Sequence, residues 1–121
     1  MSTQAGPPPP PLSAQDRAAA AARGVQARQV RAQVRAGLAD GSIPVAEVLG
    51  DAQAADERGR ILARMKVVDL LSSFRGIGPA RAADMMRDIG IAENRRVGGL
   101  GSRQVQATTD LLDQRFSRGS N

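Results

Sequence analysis

The chain has 121 residues and a net charge of +5, enough for one domain with a modest core. It has no cysteine and no histidine, which excludes a disulfide framework, a zinc finger, a thiol nucleophile and any His-dependent triad or metal site. With no Trp or Tyr and aromatics at only 2%, it also lacks the platforms on which single-stranded bases stack.

Sixteen of the seventeen cations are arginine, Lys66 being the exception. Arginine grips phosphate through a planar fork and stays charged in any environment. A high-GC genome also favours arginine codons, so placement carries more weight than the ratio. Residues 1–40 sum to +3, residues 41–63 to −2 and residues 64–121 to +4. The two ends are the basic parts.

The opening residues MSTQAGPPPPP carry no Lys or Arg and no apolar run, which is not the pattern of a signal peptide. Pro7 to Pro11 predict an extended polyproline II spacer, and residues 1–12 a disordered leader. No apolar run approaches the roughly 18 residues of a membrane span. The expectation is a soluble, cytoplasmic protein with no membrane partner.

Ser13 predicts an N-cap, with Asp16 complementing the helix dipole. A long Arg/Ala-rich helix should then fill the segment 13–40. At about 100° per residue, Arg17, Arg28, Arg31 and Arg35 share a stripe roughly 60° wide. Ala27, Val30, Val34 and Leu38 form an apolar stripe beside it. Gly37 and Asp40-Gly41-Ser42 are read as the stop. Segment 41–63 should hold a short helix from Val45 to Leu49, entered at Pro44 and closed by Gly50. An acidic loop and another short helix follow.

In segment 64–116, Val67, Leu70, Leu71 and Phe74 are spaced as one apolar helix face. Ala82, Met85, Met86 and Ile89 repeat the spacing, and Gly90 ends that helix. Ser102 is read as the N-cap of a last helix with Val105, Leu112 and Phe116 inward and Thr108-Thr109 partly buried. Residues 117–121 should be a frayed tail. No strand and no fixed-period repeat is visible, so the fold class is all-α.

The stretch from Phe74 to Gly101 carries the chemistry. Gly76-Ile77-Gly78 joins two helices, with Ile77 plugging the core and Pro79 at the first helical position. The amides of Gly78, Ala80 and Arg81 then face outward with the positive end of a helix dipole behind them, an anion site. Arg95-Arg96, the glycines of Gly98-Gly99-Leu100-Gly101, and Ser102-Arg103 build a second such site. A bland alternative pairs Arg95 and Arg96 with Glu93 or Asp88.

Together these motifs resemble the helix–two-turns–helix module, which also occurs in a ribosomal small-subunit protein that binds RNA. The wider match is to the actinobacterial integration host factor family. It takes in Leu12 to Ala20, the long Arg/Ala helix and Met65-Lys66-Val67-Val68-Asp69-Leu70-Leu71. It continues through Gly76-Ile77-Gly78, Met85-Met86, Gly90-Ile91, Arg95-Arg96-Val97 and Gly99-Leu100-Gly101. That resemblance, which spans roughly Leu12 to Phe116, implies a small all-helical nucleoid-associated protein. It would bind duplex DNA with little sequence preference, bend or compact it, and assist phage integration beside an integrase–DNA complex. The family shares a name but no fold with the β-armed integration host factor of other bacteria.

The phosphate contacts so implied fall on Gly76, Gly78, Arg81, Arg95, Arg96, Gly99, Gly101 and Ser102. A second contact is implied on Arg28, Arg31 and Arg35 of the long helix. Two departures stand out. Pro79 and Gly98 occupy positions where the family usually carries a basic residue. The expected state is a monomer that needs no cofactor, metal or catalytic residue. An RNA-binding role of ribosomal type is the alternative. An enzyme is disfavoured because Asp84 and Asp88 imply no pocket. A proline-ligand adaptor rests on Pro7 to Pro11 alone.

Overall fold

The computed structural model describes residues 13–119, with side chains through residue 114. The Pro-rich leader, the inward role of Phe116 and the tail side chains lie outside that description. Among the described residues the chain forms six helices and one 3-10 turn. Its sole β-type pairing there is the isolated bridge between Lys66 and Arg96. The all-α reading holds.

Helix α1 spans Ala14–Asp40. The Ser13 hydroxyl accepts from the Asp16 amide at 3.0 Å, and the Asp16 carboxylate accepts from the Ser13 amide at 3.3 Å. This reciprocal box satisfies two orphan donors. The helix ends at Gly41, whose φ of 82° is left-handed. Gly37, predicted as part of the stop, instead lies buried inside the helix. A Cβ there would sit 2.3 Å from Ile43 Cδ1, so Gly37 serves a close approach rather than a termination. Beyond Asp40, its carboxylate accepts from the Ser42 amide at 2.8 Å. Its pKa is lowered chiefly by the Ser42 side chain, then by the Ser42 amide. That contribution is present above the ordinary carboxylate pKa and is lost as pH falls through the lowered value.

The apolar edge of α1 docks as expected, with Val34 and Leu38 buried and Ala27 and Val30 half-buried. Residues 14–23 are exposed on every side. Helix α2 spans Val45–Asp51 and runs past Gly50, which was expected to close it. Helix α3 spans Glu57–Ala63 and is capped by Asp56, whose carboxylate accepts from the Gly59 amide at 2.7 Å. Helix α4 is only Val67–Leu71. The predicted face continued to Phe74, but the Ser72 and Ser73 hydroxyls donate to the Asp69 carbonyl at 3.3 and 2.7 Å. Such side-chain bonds compete with the helical ladder, and the chain turns there. Phe74 is buried all the same.

Helix α5 spans Pro79–Ile89 and buries Ala82, Met85 and Met86. It ends at Gly90, left-handed at φ 90°. A 3-10 turn, Val97–Gly99, leads to helix α6, Ser102–Gly119. In α6 Leu112 and Thr108 are buried, and Val105 and Thr109 half-buried. Thr108 and Thr109 donate their hydroxyls to the Gln104 and Val105 carbonyls.

Helix α1 packs on α3, α2 on α3 and α6, and α5 on α4 and α6. The 3-10 turn packs on α3. One core results, with Leu62, Val67, Leu70 and Leu71 at 0% exposure. Leu70→Ala should therefore lower stability by about 2–5 kcal/mol, read as a lower midpoint in thermal or urea unfolding.

Candidate nucleic-acid interface

The first turn follows Phe74. Gly76 has φ 84°, which a side chain rarely tolerates, so glycine is required there. Ile77 is 3% exposed and plugs the core as expected. Gly78 is extended, at φ −85° and ψ 178°, and nothing lies within 4 Å of where its Cβ would sit. Of the two glycines, Gly76 alone has a positive φ. What glycine supplies at position 78 is an unshielded amide. Pro79 occupies the first turn of α5, no side chain caps it and no acid lies in that turn. Gly78, Ala80 and Arg81 are all exposed.

The second turn is stapled to the start of α4. The Val67 amide donates to the Arg95 carbonyl at 3.0 Å, and the Val97 amide to the Met65 carbonyl at 2.8 Å. Val97 and Leu100 are buried on either side of the glycines. None of Gly98, Gly99 and Gly101 has a positive φ. Backbone freedom is therefore not their role. A Cβ on Gly98 would sit 2.6 Å from the Ala63 methyl, and one on Gly99 would sit 3.1 Å from Arg95 Cδ. These glycines let the turn lie close against α3 and beneath Arg95.

Ser102, read as the N-cap, is instead the first residue of α6. The Gly101 amide donates to Gln104 Oε1 at 3.0 Å, and Gln104 Nε2 donates to the Gly90 carbonyl at 3.1 Å. Gln104 thus ties the start of α6 to the end of α5. Sequence reasoning passed over it, although a Gln three residues after the cap position is half of a capping box.

Among the described residues the ion pairs are Arg58–Asp51 and Arg87–Asp84. Neither Glu93 nor Asp88 takes Arg95 or Arg96. Arg95 Nη1 donates to the Gly99 carbonyl at 3.2 Å, and Arg96 Nη1 to the Arg64 carbonyl at 2.5 Å. Both are exposed, as are Arg81, Arg103 and Ser102. The arginines of α1 part company. Arg28 is exposed, Arg31 is half-buried, and Arg35 Nε donates to Ser73 Oγ at 3.3 Å.

Helices α1 to α4 each carry an acid in the first turn, namely Asp16, Glu47, Glu57 and Asp69. Helices α5 and α6 carry none. A helix N-terminus bears roughly half a positive charge, which an acid ordinarily offsets. Here the two N-termini without an acid are the two reached through glycines and flanked by arginines.

Residues 38–116 match the family described as S13-like H2TH domain. An integration host factor of Streptomyces coelicolor is 41% identical over 94 residues, covering 78% of this chain and 84% of the relative. The chain belongs to the actinobacterial integration host factor family. An integration host factor of Mycolicibacterium smegmatis is 36% identical over 103 residues, covering 85% of this chain and 94% of that one. A solved structure described as sIHF bound to an 8bp palindromic DNA superposes with a TM-score of 0.65 at 35% identity. The match covers 78% of this chain and 97% of that one.

The departures from the integration host factor pattern have different structural standing. Pro79 is exposed, with a preset φ that suits the first helical turn. Pro79→Lys should fold normally and steepen the salt dependence of DNA binding by about 0.9 in log–log slope, in filter binding across a salt series. Gly98 is held by its neighbours.

Proposed function

We propose that this chain is an architectural duplex-DNA-binding protein that holds the phosphate backbone at the N-termini of α5 and α6. One observation carries the reading. Both N-termini lack the acid found on the other four helices, while arginines without carboxylate partners among the described residues stand beside them. The amides of Gly78, Ala80 and Arg81 would donate to the oxygens of one phosphate, with Gly76 shaping the approach. The amides of Ser102 and Arg103, reached through Gly99 and Gly101, would donate to another. The Arg81, Arg95, Arg96 and Arg103 side chains add charge-assisted bonds and release counterions.

These contacts position DNA without reading bases, so sequence preference is weak. Arg28, Arg31 and Arg35 are proposed as a further contact from α1. No described helix presents an Arg/Asn/Gln cluster suited to base edges, which supports bending or compaction over operator recognition. The family's name and its DNA-bound member favour DNA over the RNA-binding alternative. Action in the nucleoid, as a binder rather than an enzyme, and help to site-specific integration follow from this reading.

The deciding experiment is filter binding to duplex DNA across a salt series, with structured RNA as competitor at fixed salt. Steeply salt-dependent binding that resists RNA is the expected result. Preference for structured RNA would overturn it.

A further inference from the structure

Helices α1 and α3 enclose a groove of about 410 Å³ whose walls carry Arg23 and Arg31 on one side and Arg60 and Arg64 on the other. Glu57 is the one acid among its lining residues. None of the four arginines is in an ion pair among the described residues. Arg60 makes only a long bond, 3.4 Å, to the Ala55 carbonyl. Four cationic residues from two helices line this one groove against a single carboxylate, a net positive charge that attracts an anion. A solvated stripe on a single helix would not place cations on both sides of a groove. Gly24 of α1, between Arg23 and Val25, also lines the groove.

The groove adjoins the glycine-turn site. The Arg64 carbonyl accepts from Arg96, and Arg64 is also one of the residues that line the groove. We propose that the groove carries the phosphate backbone onward from Arg96, along the same duplex. The proposal rests on the DNA-binding reading above. Arg23 and Arg31 are eight residues apart on α1, or about 12 Å at 1.5 Å per residue. At about 3.4 Å per base pair, the groove adds three to four base pairs to the footprint. Contact with α1 thus runs through Arg23 and Arg31 with α3 opposite, more than through the whole stripe of Arg28, Arg31 and Arg35.

The test uses the full chain and the variant Arg23→Gln with Arg64→Gln, both exposed positions. Binding is measured across salt on an 8-bp duplex, the length in the solved relative, and on a longer duplex. The longer duplex is roughly 24 bp, so that the groove is within reach. The wild-type slope should be steeper on the longer duplex. The variant should lose about 1.8 in log–log slope there and nothing on the short one. Unchanged slopes on both lengths would overturn the proposal, and so would equal losses on both. An unchanged slope with loss of two-duplex bridging would also overturn it, by assigning the groove to a second duplex. If the wild-type chain bound neither duplex, the DNA-binding reading itself would fall. Thermal unfolding of the variant should match the wild type.

Discussion

Arg95→Ala with Arg96→Ala should weaken duplex-DNA binding roughly a hundredfold, taking about 1.5 kcal/mol for each charge-assisted bond lost. The loss should be the same on unrelated sequences, because phosphate contacts carry no base information. The log–log salt slope should fall by about 1.8, two contacts at about 0.9 each. An unchanged slope would remove both arginines from the interface. The Arg96 guanidinium also bonds the Arg64 carbonyl, so part of the effect could come from a loosened turn. Two controls separate the causes. The carbonyl is at an exposed position, so its loss should cost about 1 kcal/mol or less in unfolding. Arg96→Lys keeps the charge but not the planar fork, and it should retain most of the slope.

Gly98→Arg adds a charge to the turn, yet it should destabilise the fold by about 1–3 kcal/mol. The new Cβ would meet the Ala63 methyl at 2.6 Å, with the Ala63 carbonyl at 3.1 Å and its Cα at 3.2 Å. A methyl on a helix packed against the turn cannot swing aside as a long side chain would. For a domain of this size the thermal midpoint should drop by about 4 °C per kcal/mol. Adding Ala63→Gly removes the methyl and should recover part of that loss. The recovery is incomplete, because glycine at a helix position costs up to about 1 kcal/mol and the backbone contacts remain. The double variant should then show a salt slope steeper by about 0.9. A single variant that melts like the wild type would mean that the turn can lift from α3 at no cost.

These two predictions differ in what they needed. The placement of Arg95 and Arg96 beside a glycine-rich turn was legible in the sequence, because it depends on neighbours within a few residues. So were the Ser13 cap, the faces of α1 and α5 and the stop at Gly90, since capping and periodicity are settled within a turn or two of chain. Ile77 between its glycines was legible for the same reason. The even spacing through Phe74 misled, because it did not weigh the two serine hydroxyls that turn the chain after Leu71.

By itself, then, the sequence determined an all-helical chain with two glycine-gated, acid-free helix N-termini and arginines beside them. Only the tertiary structure decided what the second set of glycines is for. Gly98 and Ala63 are far apart in the chain, and whether a Cβ fits between them depends on how closely the turn packs on α3. The same holds for Arg96 on the Arg64 carbonyl, for Gln104 bridging two helix ends, and for the splitting of the α1 arginines between Ser73 and the α3 groove. Local patterning sets which face of a helix is apolar and which is charged. The distance of that face from another helix is a property of the packed core, and no stretch of sequence a few turns long contains it.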